Sequence, residues 1–170
     1  MKQFEDLRIV EIAGSAAGAY TAKMFADHGA TVIKVEPLDG DPLRTEGEPW
    51  TLPNGDVVGT TWAYLNTSKQ SIFVDQNDHA GLVSLLVEAD AVIESSSPEP
   101  LISRVDIANN MRLVSARISP FGSSGPYSNY RSNLFTDEAI GGQLYPNGEP
   151  SREPVRRPGL HMAYQAGTHD

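Results

Sequence analysis

Strand, small-residue turn, helix and strand follow one another within the first 36 residues, and that order restricts the fold more than any other feature. Leu7-Arg8-Ile9-Val10-Glu11-Ile12 is β-rich, Gly14-Ser15-Ala16-Ala17-Gly18 is a turn of small residues, and Ala19 to His28 carries helix formers. Ala22, Phe25 and Ala26 fall on one face of that helix, and Gly29 stands where a C-cap is wanted. Thr31-Val32-Ile33-Lys34-Val35, closed by Pro37, is a second strand. Connections this short predict a right-handed βαβ unit with parallel strands.

The alternation continues. Ser71 to Asp75 reads as a strand, Asp78 to Glu88 as a helix with Asp78 as N-cap and Leu82, Leu85 and Leu86 inward, and Ala91 to Glu94 as the next strand. Helical turns near Glu99 to Ile102 and Ile107 to Asn110 lead to a strand over Leu113 to Ser119. The expected fold is therefore α/β, a Rossmann-like, open and mostly parallel sheet with helices on both faces, whose ligands lie beyond the carboxyl ends of the strands. Those ends are Ala13 to Gly18, Glu36 to Arg44, Ser95 to Pro98 and Ser119 to Tyr127. Between them, Leu38 to Thr61 is rich in Gly, Pro, Asp and Glu and reads as a long surface excursion with a hairpin near Pro53 to Asp56. Beyond Tyr127 the chain is polar and rich in Pro and Gly, with helices expected near Thr136 to Gly141 and from His161 to Thr168.

Composition narrows the function. With 170 residues the chain fits one domain of ordinary size, and its net charge of -9 repels phosphate backbones and anionic lipid, so neither nucleic acid nor a membrane is an expected partner. An anionic small ligand is compatible with that charge, because salt screens a diffuse surface field within about 10 Å. There is no cysteine, which excludes disulfides, thiolate nucleophiles and cysteine-based metal sites. The charged start, Met1 to Asp6, does not read as a signal peptide, and a cytoplasmic location is expected. A helix opening at His161 just before the chain stops at Asp170 leads us to expect an incomplete folding unit.

Gly14 and Gly18 between strand and helix, with Glu36 at the end of the next strand, imitate a dinucleotide fingerprint, but the G-x-G-x-x-G spacing is absent. A nicotinamide-dependent oxidoreductase domain is the alternative that these residues define; a non-catalytic structural or regulatory subunit is another.

Four blocks occur in order: Gly29 to Pro37, Gly40-Asp41-Pro42-Leu43-Arg44, Asn66-Thr67-Ser68-Lys69-Gln70-Ser71, and Ser119-Pro120-Phe121-Gly122-Ser123-Ser124-Gly125-Pro126-Tyr127. Together they resemble the N-terminal part of the family III CoA-transferases, the CaiB/BaiF family, which includes formyl-CoA and carnitine CoA-transferases and 2-methylacyl-CoA racemases. The resemblance implies that residues 1–170 form the N-terminal part of the Rossmann-like large domain, that a small domain comes from later sequence, and that members assemble as oligomers, here with a copy of itself or a second CoA-transferase-like chain. It implies coenzyme A and acyl-CoA as substrates, with a carboxylic acid as acceptor and no covalently held cofactor. Ser15, Ala16, Ala17 and Gly18 would floor the site beside the thioester. Arg44, Lys69, Arg104 and Arg131 are the candidates for its phosphates, and Ser95 and Ser96 stand where the family has an Asn-aromatic pair. Pro37 replaces a basic residue usual in the family.

The family's transferases use one aspartate to attack the thioester. Anchored on Tyr164 and Gly167, that position is Ala163 here, and Asp170 lies one helical turn beyond it. The racemases' histidine would fall near Asn133 or Leu134, and neither moves a proton at neutral pH; His161 and His169 are near the active-site segment but read as polar packing residues. The catalytic residue is unassigned, and the chain alone is not expected to run the transferase cycle.

Overall fold

The computed structural model describes residues 3–75, 78–95, 110 and 112–169. Five parallel strands form the main sheet: β1 (Arg8–Ala13), β2 (Thr31–Glu36), β5 (Gln70–Phe73), β6 (Ala91–Ser95) and β7 (Val114–Ile118), in the order β5-β2-β1-β6-β7. A two-stranded antiparallel hairpin, β3 (Pro49–Thr51) with β4 (Val57–Gly59), stands apart from it. From β1 the chain builds outward to one edge through β2 and β5, then returns to the other side of β1 with β6. The α/β expectation, with a mostly parallel sheet, holds.

Each sheet face has its own apolar layer, because successive strand residues point to opposite sides. Ile9, Val32 and Ile93 pack with Ala22 and Ala26 of α1 (Ala16–Asp27). On the reverse face Val10, Val35 and Val92 meet Leu82 and Leu86 of α3 (His79–Val87). Helices therefore cover both faces. Asp78 caps α3 by accepting from Gly81 N at 2.9 Å, as its position in the sequence predicts. Gly29 takes φ +110°, a left-handed conformation in which a side chain would be strained, and so ends the helix before β2.

Two local expectations need correction. α1 begins at Ala16, three residues before the helix-former run, because Ser15 caps it; Ser15 Oγ accepts from Gly18 N at 3.3 Å. The stretch 38–61 is not simply a surface excursion. Its hairpin is present, but Leu43, from a short 3-10 helix (Pro42–Thr45), and Val58 are buried with Trp62 and Leu65 of α2 (Thr60–Leu65) in a third core against Ala16 and Ala19. These apolar residues are too irregularly spaced to show a helix or strand period, so local pattern hides the burial. The expected turns at Glu99 to Ile102 and Ile107 to Asn110 lie outside the described residues, save for Asn110.

The C-terminal part supplies α4 (Leu134–Ile140) and α5 (His161–Ala166). Asn133 Oδ1 accepts from Phe135 N and Thr136 N, both at 3.0 Å, and Asn133 N donates to Thr136 Oγ1, forming a capping box. α5 docks on α1: Thr21 Oγ1 donates to the Gly167 carbonyl at 2.9 Å, and the Tyr20 and Tyr164 rings lie 4.9 Å apart.

Candidate functional site

The order of the strands reverses between β1 and β6, and a crevice opens beyond their carboxyl ends, where the fold class places ligands. It is a cleft of about 900 Å³, large enough for a drug-sized ligand. Its floor is Ser15, Ala16 and Ala17; the loop after β7 (Ser119 to Ser123), α4, and Leu160, Ala163 and Ala166 of the α5 region close its sides.

Small residues make that floor possible. Ser15 Oγ donates to Ser95 Oγ at 2.7 Å and Ser15 N donates to the same oxygen at 3.3 Å, tying the end of β1 to the end of β6 at the switch point. One residue behind the floor, Gly18 lies so close to the sheet that a Cβ would sit 2.7 Å from Ala13 Cβ and 2.9 Å from Ser95 Oγ. Ala16 and Ala17 occupy the first turn of α1, where backbone amides have no intrahelical acceptor and the helix dipole is positive. The floor is thus apolar in its side chains and weakly electropositive in its backbone.

Beneath it lies a buried ionic cluster. Lys34 Nζ donates to Glu11 Oε1 and to the Ala13 carbonyl, both at 2.8 Å, and pairs with Asp41. Lys69 Nζ donates to Glu11 Oε2 at 2.7 Å, to the Ala19 carbonyl at 2.8 Å and to Asn66 Oδ1 at 3.1 Å. Two cations face two carboxylates, so the cluster is neutral and its long side chains bridge sheet, helix and loop. Burial tends to lower the Lys34 pKa, but Glu11 and Asp41 outweigh it and the value stands above the usual 10.5. For Lys69 burial wins and the value falls to about 8, with Glu11 opposing.

A second cluster fixes the wall that carries Leu43. Glu36 is wholly buried; its Oε2 accepts from Arg44 Nε at 2.6 Å and Asp41 N at 3.1 Å, and its Oε1 from Arg44 Nη2 at 2.9 Å and from Ser71 Oγ. The Arg44 guanidinium also stacks 4.1 Å from the Trp62 ring centroid. Burial pushes the Glu36 carboxyl up, but the bonds from Arg44, Ser71 and Asp41 more than offset it and hold it below the usual 4.5. An ionised Glu36 therefore stabilises the fold above that ordinary value, and the contribution is lost as pH falls through the lower folded value. Ser71→Ala, which removes one donor, should move this acid loss to higher pH; denaturation profiles between about pH 3 and 6 check it, and superimposable profiles would contradict the role assigned to Ser71.

The sequence candidates separate accordingly. Ser15, Ala16 and Ala17 line the cleft, Gly18 backs it, and Ser95 holds Ser15. Arg44 and Lys69 are beneath or beside it, each engaged with a buried carboxylate. Arg131 is exposed and does not line the cleft, while Ser96, Arg104 and Asp170 lie outside the described residues. Glu36 cannot serve a ribose diol, because both its oxygens are buried and bonded; this removes the carboxylate on which the dinucleotide alternative depends. Leu43, Arg117 and Glu138 line the cleft without having been singled out. Arg117 was within reach of sequence reasoning, since it stands at the carboxyl end of a recognised strand; Glu138, on a short helix that buries only that residue, carried no such signal.

A sequence profile for CoA-transferase family III matches residues 4–169. The chain belongs to CoA-transferase family III. Among its relatives, the succinyl-CoA:(R)-benzylsuccinate CoA-transferase subunit BbsE of Thauera aromatica is 36% identical over 92% of this chain and 40% of that protein. A succinyl-CoA–D-citramalate CoA-transferase of Chloroflexus aurantiacus is 34% identical over 91% of this chain and 40% of its own length. The crystal structure of a CaiB/BaiF family protein from Brucella suis superposes with a TM-score of 0.89 at 29% identity, covering 99% of this chain and 47% of that one. The family III chain described here thus spans about 40% of the length of these curated relatives. Among its described residues no helix is long and apolar enough to cross a membrane.

Proposed function

We propose that this family III chain binds acyl-CoA as part of a CoA-transferase-like assembly, with the thioester end of the ligand in the cleft at the β1/β6 switch point. The observation that carries the reading is the composition of that cleft: a small-residue floor at the start of a helix, facing Ala163. An alanine methyl forms no anhydride, so on this reading the attacking carboxylate comes from outside these 170 residues, together with the family's small domain. A second CoA-transferase-like chain is the partner we infer. The Thauera relative is named as a subunit of its transferase, which favours that reading. A cytoplasmic location goes with it.

In this reading Arg44 and Lys69 act on the ligand indirectly. Their charges are committed to Glu36 and Glu11, and their effect is to hold Leu43 and the floor in place. That leaves exposed Arg131, among the described candidates, to meet a CoA phosphate. Isothermal titration of the purified chain with CoA and succinyl-CoA, alone and with a full-length family member, tests the proposal. Saturable heat in either setting is expected; its absence in both would overturn the proposal.

A further inference from the structure

Glu138 is the described residue of the cleft whose surroundings do not account for its chemistry. It projects from α4, is 3% exposed, and lines the cleft. Among the described residues its Oε1 has only Arg156 Nε, at 3.5 Å, and its Oε2 is buried with no hydrogen-bond partner. The neighbouring cleft carboxylate differs: Asp137 Oδ2 accepts from Ser132 Oγ at 2.7 Å. A buried carboxylate oxygen without a donor is destabilising, because it has lost water and gained nothing in exchange. A donor arriving with a ligand would complete a position built this way. A glutamate held under the surface of a binding cleft rejects ligands that lack the donor, since each of them leaves the carboxylate desolvated and unpaired.

We propose that Glu138 Oε2 accepts a hydrogen bond from an O–H or N–H of the bound CoA thioester, and that it thereby sets which thioesters the cleft retains. The inference rests on the acyl-CoA reading above and deepens it. The donor is either a hydroxyl on the acyl group or an amide N–H of the pantetheine arm. With a hydroxyl donor the cleft selects hydroxyacyl thioesters over their deoxy counterparts; with an amide donor it grips the CoA arm whatever the acyl group.

The test compares lactoyl-CoA with propionyl-CoA, which differ by one hydroxyl, and with free CoA, as ligands of the purified chain and of its Glu138→Gln variant. A hydrogen bond to a charged acceptor is worth on the order of tenfold or more in affinity. If the hydroxyl is the donor, wild type prefers lactoyl-CoA by about that factor and the variant loses the preference while its propionyl-CoA affinity stays within about twofold. If the pantetheine amide is the donor, the variant weakens all three ligands alike. Either pattern supports the inference. Unchanged affinities for all three overturn it while leaving the acyl-CoA reading intact; failure of wild type to bind any of them, both alone and with a full-length family member, sinks that reading instead. Should Glu138→Gln not fold, Glu138→Asp, which keeps the charge but withdraws it by one methylene, is expected to give the same pattern, and unaltered affinities there count against the inference.

Discussion

Glu11→Gln is expected to cost about 3–5 kcal/mol of folding stability, the range typical of removing one partner from a buried ion pair. The amide keeps the shape of the side chain but removes the charge that both Lys34 and Lys69 face inside the sheet-helix layer. Lys34 retains Asp41, whereas Lys69 retains only the Ala19 carbonyl and Asn66, so Lys69 bears most of the loss. The pH dependence follows from the same residue. Burial already holds the Lys69 pKa at about 8, below the 10.5 of the unfolded chain. A folded value below the unfolded one means that the penalty for the charged form is complete below the folded pKa and is relieved as pH rises toward the unfolded one. The Glu11→Gln defect should therefore be larger near pH 7 than near about pH 9.5. Adding Lys69→Met, of similar volume and uncharged, should recover part of the loss. Urea denaturation of the three proteins measures this, and a single-variant loss below about 1 kcal/mol would contradict the account of the cluster.

Gly18→Ala is the second large effect, and it reaches the cleft itself. The added methyl would lie 2.7 Å from Ala13 Cβ, an atom fixed to the strand backbone, and 2.9 Å from Ser95 Oγ, which holds Ser15. The Ser95 hydroxyl can turn aside only by giving up its bond to Ser15, and Ala13 Cβ and Ser95 Cβ, the latter 3.2 Å away, cannot turn at all, so α1 must move off the sheet and carry Ser15, Ala16 and Ala17 with it. Overpacking of this kind costs about 1–3 kcal/mol. The larger consequence expected is in binding: a floor displaced by several tenths of an ångström no longer closes on a thioester, and CoA affinity should fall at least tenfold, on the order expected for misplacement at a preorganised site. Calorimetry on a folded Gly18→Ala protein checks it; wild-type affinity would show that the close approach serves packing alone.

How much of this was legible in the sequence depends on how local the cause is. The βαβ start, α3 with its Asp78 cap, and the outer strands follow from periodicity and turn residues, signals carried within each segment. The cleft's location follows as well, since a parallel α/β sheet has its crevice at the strand ends, and Ser119 to Ser123, which line it, belong to the expected end Ser119 to Tyr127. The roles of the cations were not legible. Lys69 looks like a solvated loop lysine until Glu11, 58 positions away, is brought beneath it. Lys34 and Glu11 look like ordinary strand residues until α1 and the loop carrying Asp41 close over them. In the same way Leu43, Val58, Trp62 and Leu65 form a core only once the hairpin folds back, so a composition of Gly, Pro and acids concealed it.

The cleft at the β1/β6 switch point is expected to hold a CoA thioester although Ala163 stands at the family's nucleophile position. Intact mass spectrometry of the purified chain with succinyl-CoA, under native and then denaturing conditions, tests it most directly. A one-to-one complex that survives native spray and leaves an unmodified chain after denaturation is the expected result. No native complex either alone or with a full-length family member, or an acyl or CoA adduct on this chain that persists through denaturation, would contradict it.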